Sequence, residues 1–195
     1  MTETPHRGQP GPEHATGTAV PALAAEDADC RTCPMRYAET TPEAAVGIVR
    51  SLPPRYRRAV GAMSDAGLRR RPDPRTWSVL EYTCHVRDVY EVYSDRLTRA
   101  MNEEHPRLEP MRNEQRALRM QYNLQVPEDV LDSLARQAAH FARLVESVGA
   151  DQWPRTVTRL PGEERTLLWL ARQAAHEGLH HLHDITRVSA AVTRG

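Results

Sequence analysis

The sequence predicts an all-α protein folded as an antiparallel four-helix bundle. Three long segments carry apolar residues at spacings of three and four, the period of a helix with one buried face. A fourth segment has the start signals of a helix but is interrupted by Pro53-Pro54. With only three Trp, six Tyr and one Phe in 195 residues, the core must come from Leu, Val, Ile and Ala. A chain of this length defaults to one domain, and its connections vary widely in length, as between bundle helices.

The elements follow in order. Residues 1 to about 28 are rich in Pro, Gly, Thr and Ala and have no hydrophobic period. They bury too little surface to offset ordering entropy, so residues 1–40 are expected to be a disordered tail carrying Cys30-x-x-Cys33, and the bundle to span 41–195. Thr41 suits an N-cap, Pro42 the first helical position and Glu43 the first turn. Pro53-Pro54 should break or kink this helix, and a second segment should stop at Gly67. After the loop RRRPDPRT, Ser78 with Glu81 three residues on reads as a capping box. The helix it opens carries the stripe Val79, Tyr82, Val86, Val89, Tyr93, Leu97 and Ala100. Residues 105–126 are part loop, part short helix. PEDVLDSLARQAAHFARLVESVG is a third helix, with Pro127 at its start and Gly149 beyond its end. A loop with room for a short hairpin leads to the last helix, TLLWLARQAAHEGLHHLHDITRVSAAV.

Charge and cysteine usage exclude some classes. The 26 basic and 26 acidic residues balance, which argues against a nucleic-acid or anionic-membrane binder. No run approaches the ~18 apolar residues of a membrane span, and the N-terminus lacks the pattern of a signal peptide. Three cysteines without an export signal indicate reduced thiols or a metal, and a cytosolic protein.

The stretch HEGLHHLHD contains His-Glu-x-x-His (His176, Glu177, His180), the zinc-peptidase signature. Helix directions argue against that use. With His176 at zero, Leu170, Ala174, Ile185, Val188 and Val192 fall between roughly 120° and 180°. Glu177 at about 100° and His181 at about 140° share that buried shoulder, one turn apart, while His176 and His180 at about 0° and 40° point toward solvent. His85 lies at the edge of the second helix's stripe. One His from one helix and Glu-x-x-x-His from another can make a three-ligand metal site with an open position, the pattern of a catalytic metal. A hydrogen-bonded core histidine is the plain alternative for His181. His180 and His183 read as surface groups or supports for ligand orientation.

WSVLEYTCHVRDVYEVYSDRL and LARQAAHEGLHHLHDI resemble the DinB/YfiT-like superfamily of metal-binding four-helix bundles, in particular its actinobacterial branch. The resemblance covers roughly residues 42 to 193 and is specific in those two segments. It implies a DinB-like fold and a metal triad on His85, Glu177 and His181, the residues the helix directions bring together. The divalent metal would be zinc first, with nickel, manganese or iron as alternatives. Some members have His-x-x-x-His in the last helix, where this chain has Glu177, a harder ligand. The branch related to mycothiol-dependent maleylpyruvate isomerase implies S-transfer or isomerisation with a low-molecular-weight thiol (mycothiol, bacillithiol or glutathione). The metal would turn that thiol into a thiolate nucleophile for a small electrophilic substrate. The partners implied are this substrate and thiol, with a homodimer as a further expectation. The alternative is a non-catalytic metal-binding or interaction protein of the same fold.

Other residues keep open readings. Cys30-x-x-Cys33 could be half of a four-ligand zinc site, with Cys84 or scattered histidines to complete it, a redox pair, or neither. Cys84 defaults to a packed thiol. Asp88 could orient a ligand or form a structural ion pair. Trp77 and Trp153 read as anchors, Tyr82, Tyr90 and Tyr93 as core or pocket lining, and His140 as undecided.

Overall fold

The computed structural model describes residues 20–194. Its helices are α1 (Pro42–Gly61), α2 (Asp65–Arg69), α3 (Val79–Asn102), α4 (Asn113–Arg119), α5 (Pro127–Ser147) and α6 (Leu167–Arg194). A 3-10 turn spans Tyr122–Leu124, and β1 (Thr156–Thr158) pairs antiparallel with β2 (Glu164–Thr166). The four long helices form the expected bundle. α3 and α1 each pack on both α5 and α6, so α1 lies diagonally across from α3, and α5 from α6. Two of the connections must therefore cross the end of the bundle, which explains why residues 62–78 and 148–166 are long and hold α2 and the hairpin.

The helix starts follow the sequence. Thr41 accepts from Ala44 N (3.2 Å), with Pro42 in the first turn. Ser78 and Glu81 make a reciprocal capping box, and Thr166 Oγ1 accepts from Trp169 N at 3.0 Å. Two expectations are corrected. Of the break or kink expected at Pro53 and Pro54, the break does not occur: α1 runs through both, because Val49, Leu52, Tyr56 and Val60 on either side are buried and packing outweighs the lost donors. Gly67 ends no helix. It lies inside α2, capped by Ser64.

The larger correction concerns the tail. Residues 1–19 lie outside the described residues, but residues 20–40 form a strap along α6 and the hairpin. Cys33, Met35 and Tyr37 are buried in the core. Burying Met35 and Tyr37 contributes roughly 1.5–3 kcal/mol each. Asp29 pairs with Arg36 in a bridge, and Cys30 N donates to Met35 O (3.0 Å). Further along, Arg165 donates to Ala24 O (2.6 Å), Glu26 accepts from Thr166 N (2.7 Å), and Arg172 donates to Thr40 O (2.7 Å). A periodicity test misses such a segment, because three side chains and scattered long-range hydrogen bonds hold it.

The buried face of α6 is wider than its apolar stripe suggested. Leu170, Ala174, Ile185, Val188 and Val192 face the core as expected, but Leu167, Ala171, Ala175, Gly178 and Leu182 are also buried. Gly178 is where α6 comes closest to its neighbours. A Cβ there would collide with Tyr90 Oη and approach Leu52 Cδ1 to 2.5 Å, and Tyr56 Oη donates to Gly178 O (2.8 Å). Gly178→Ala is expected to destabilise the protein by about 1–3 kcal/mol in chemical denaturation. An unchanged midpoint would show that the three helices are not this close.

Candidate metal centre

His85 from α3 and Glu177 and His181 from α6 converge, their ligand atoms all within 4.8 Å of one another. The capping box sets where α3 starts, and its buried stripe turns His85 inward. Trp77, just before the helix, packs edge-on against His85 with centroids 5.2 Å apart. Glu177 and His181 are one turn apart and so share a face. Glu177 Oε2 lies 3.4 Å from His85 Nε2 and 3.1 Å from His181 Nε2. Two N or O ligands at 2.0–2.1 Å from a tetrahedral metal would be about 3.3 Å apart, so both distances from Glu177 match those around a divalent ion.

The surroundings orient each ligand. Gln173 Nε2 donates to Glu177 Oε1 (2.5 Å), leaving Oε2 for the histidines. Tyr37 Oη of the strap donates in turn to Gln173 Oε1. His181 Nδ1 lies 2.8 Å from Asp184 Oδ2, and Asp184 Oδ1 accepts from Arg187 (2.7 Å). A carboxylate behind a histidine in this way fixes its tautomer and aims its other nitrogen.

Charge follows position. Burial lowers His85, whose side chain is 2% exposed, so the ring is neutral. Burial also opposes the charges of Glu177 and His181, but the hydrogen bonds outweigh it. The bonds to His181 and His85 hold Glu177 well below the usual carboxylate range, and those to Asp184 and Glu177 lift His181 to about 9. Without metal these two form an ion pair, and a metal must displace the proton of His181. The Glu177 and His181 side chains remain 21% and 16% exposed, whereas His85 is enclosed.

His176 and His180 do not point to solvent as the helix directions suggested. The strap covers them. His180 Nδ1 lies 3.4 Å from Cys30 Sγ, and the His176 ring lies against Tyr37 with centroids 5.6 Å apart. Burial lowers His176 to about 4. His183 and His140 are exposed. Cys84 is a packed thiol, its Sγ 3.6 Å from Tyr122 O. Tyr82 packs at a tilt against His181 with centroids 5.2 Å apart, while Tyr90 stacks on Phe141. Trp153 is partly buried against the core. Sequence reasoning missed Gln173 and Tyr37. Gln173 was findable, being one turn before Glu177, but nothing in the sequence links Tyr37 to it.

Asp88 resolves as structural. It accepts from Arg87 (2.8 Å), Arg116 (2.5 Å) and Tyr122 (2.6 Å). Burial raises its pKa, but the bonds from Tyr122 and Arg116 outweigh this and hold the carboxyl below its ordinary value. Such a depressed group stabilises the fold fully above the unfolded pKa of about 3.9, and the contribution fades as pH falls through the folded value. Asp88→Asn is expected to destabilise by roughly 3 kcal/mol at pH 7, a gap that narrows below about pH 4 in denaturation series. A gap independent of pH would contradict the ion-pair assignment.

Comparison with known proteins agrees with the fold. The pattern of the DinB superfamily matches residues 49–185. No curated protein matches the chain. The structure resembles YfiT from Bacillus subtilis, described as a probable metal-dependent hydrolase with an unusual four-helix bundle topology. That match has a TM-score of 0.72 and 19% identity, and it covers 78% of this chain and 87% of that one. It also resembles the mycothiol-dependent maleylpyruvate isomerase, with a TM-score of 0.61 and 14% identity, over 76% of this chain and 62% of that one. Among the described residues no helix is long and apolar enough to cross a membrane.

Proposed function

We propose, because the chain belongs to the DinB superfamily, that it is a cytosolic metal-dependent transferase or isomerase using a low-molecular-weight thiol of the mycothiol type on a small electrophile. The observation that carries this reading is the convergence of His85 Nε2, Glu177 Oε2 and His181 Nε2 on one partly exposed point. The mycothiol-dependent enzyme among its structural neighbours supports the thiol. A divalent metal on these three residues, zinc first with nickel, manganese or iron as alternatives, would supply the Lewis acidity that lowers the pKa of a bound thiol.

The chain's own residues do the rest. His85, held uncharged by burial, turns Nε2 toward Glu177 Oε2 and would coordinate there with its ring proton on Nδ1. Asp184 holds the His181 ring, and Gln173 holds Glu177 Oε1, so both ligands face the same point. The exposed side of Glu177 and His181 is the approach for thiol and electrophile. A second reading, metal binding without turnover, is favoured by the strap, which reaches Glu177 through Tyr37 and Gln173.

Elemental analysis of purified variants tests the site. His85→Ala, Glu177→Ala and His181→Ala are each expected to lose metal that wild type and the exposed His140→Ala retain. Thiol transfer from mycothiol to a panel of small electrophiles should disappear in the same three variants. Metal retained without turnover would select the second reading, and a metal content per chain unchanged from wild type in all three variants would overturn the triad. Gln173→Ala is expected to weaken metal affinity about 10-fold with helicity unchanged. Unchanged affinity would remove Gln173 from the site.

A further inference from the structure

We propose that Cys30, Cys33, His176 and His180 form a second, four-ligand zinc site that clamps the strap onto α6, separate from the His85, Glu177 and His181 cluster. One ligand atom from each lies within 4.8 Å of all the others. Two cysteines separated by two residues and two histidines one helical turn apart are the donor types and spacing of a Cys2His2 zinc site.

The local geometry fits a tetrahedral ion. Cys30 Sγ is 3.4 Å from His180 Nδ1. Sulfur at 2.3 Å and nitrogen at 2.0–2.1 Å from one tetrahedral zinc would be separated by about 3.5 Å. Thr32 N donates to Cys30 Sγ (3.4 Å), a bond that favours the thiolate. On its far side, His180 Nε2 lies 3.5 Å from Asp184 Oδ2, a carboxylate placed to orient the ring. His176 adds an independent observation. Both of its ring nitrogens are buried, and neither has a hydrogen-bond partner among the described residues. Buried polar groups are nearly always satisfied, and coordination gives one of these nitrogens its partner.

Four protein ligands leave no open position, so the site is structural rather than catalytic. This also answers the peptidase signature. His176 and His180 do converge, but on two cysteines, and the intervening Glu177 faces the other cluster. Zinc replaces the thiol protons of Cys30 and Cys33 and releases them to solvent. Its consequence for the first site runs through the strap, where clamped Tyr37 holds Gln173, and Gln173 holds Glu177.

The test is a Co2+ titration of the metal-free full chain, following thiolate-to-cobalt charge-transfer absorption. Wild type and His85→Ala are expected to develop the band at one equivalent per chain. Cys33→Ser and His176→Ala should lose it, or bind more weakly by more than the roughly 10–100-fold that an outer partner contributes. In wild type alone, Zn2+ should protect Cys30 and Cys33 from alkylation and a chelator should restore their reactivity, which depends on no variant folding. A wild type without the band, thiols alkylated equally with and without Zn2+, or a band surviving in both His176→Ala and His180→Ala would each overturn the proposal. A thiolate band in a protein holding no metal on His85, Glu177 and His181 would sustain this inference and defeat the reading under Proposed function, so the two fail separately.

Discussion

The Glu177 carboxylate constrains everything around it. An ionised group inside a helical bundle carries a desolvation penalty of several kcal/mol unless partners surround it. Here α3 and α6 supply them, and the strap supports one of them. α3 brings His85, α6 brings His181 one turn later and Gln173 one turn earlier, and the strap reaches Gln173 through Tyr37. Both oxygens are engaged on opposite sides, so the carboxylate has one orientation. A partly buried acid that would weaken an apolar core becomes the element that sets the register of α6 against α3.

That register is held by close packing next door. Gly178 follows Glu177 directly and lets Tyr90 of α3 and Leu52 of α1 touch the α6 backbone. Where polar groups at one residue and steric fit at the next demand the same position, the helix has little freedom to slide. The diagonal placement of consecutive helices serves this end. It puts α6 between α1 and α3, so a histidine from α3 can meet ligands from α6 without a neighbouring connection in the way.

Much of this was legible in the sequence. The capping box at Ser78 and Glu81, the stripe from Val79 to Ala100 and the one-turn spacing of Glu177 and His181 are local signals, and each holds in the structure. His85, Glu177 and His181 could be named together because helical geometry turns spacing into direction. The same geometry failed for His176 and His180. A wheel assumes one buried face, and α6 is covered on a second by residues more than a hundred positions earlier. Pro53 and Pro54 misled for a related reason, since their local cost is real and the packing that overrides it is remote.

The sequence by itself therefore determined the long helices, most of their inward faces and the three residues that meet between α3 and α6, because those follow from interactions within four or five positions. Only the tertiary structure decided that residues 20–40 are part of the fold, that Tyr37 and Gln173 hold Glu177, and that Cys30 lies beside His180. These contacts join segments about 140 to 150 residues apart. No periodicity records such a pairing, because it comes from two surfaces fitting together and not from the order of residues along either one.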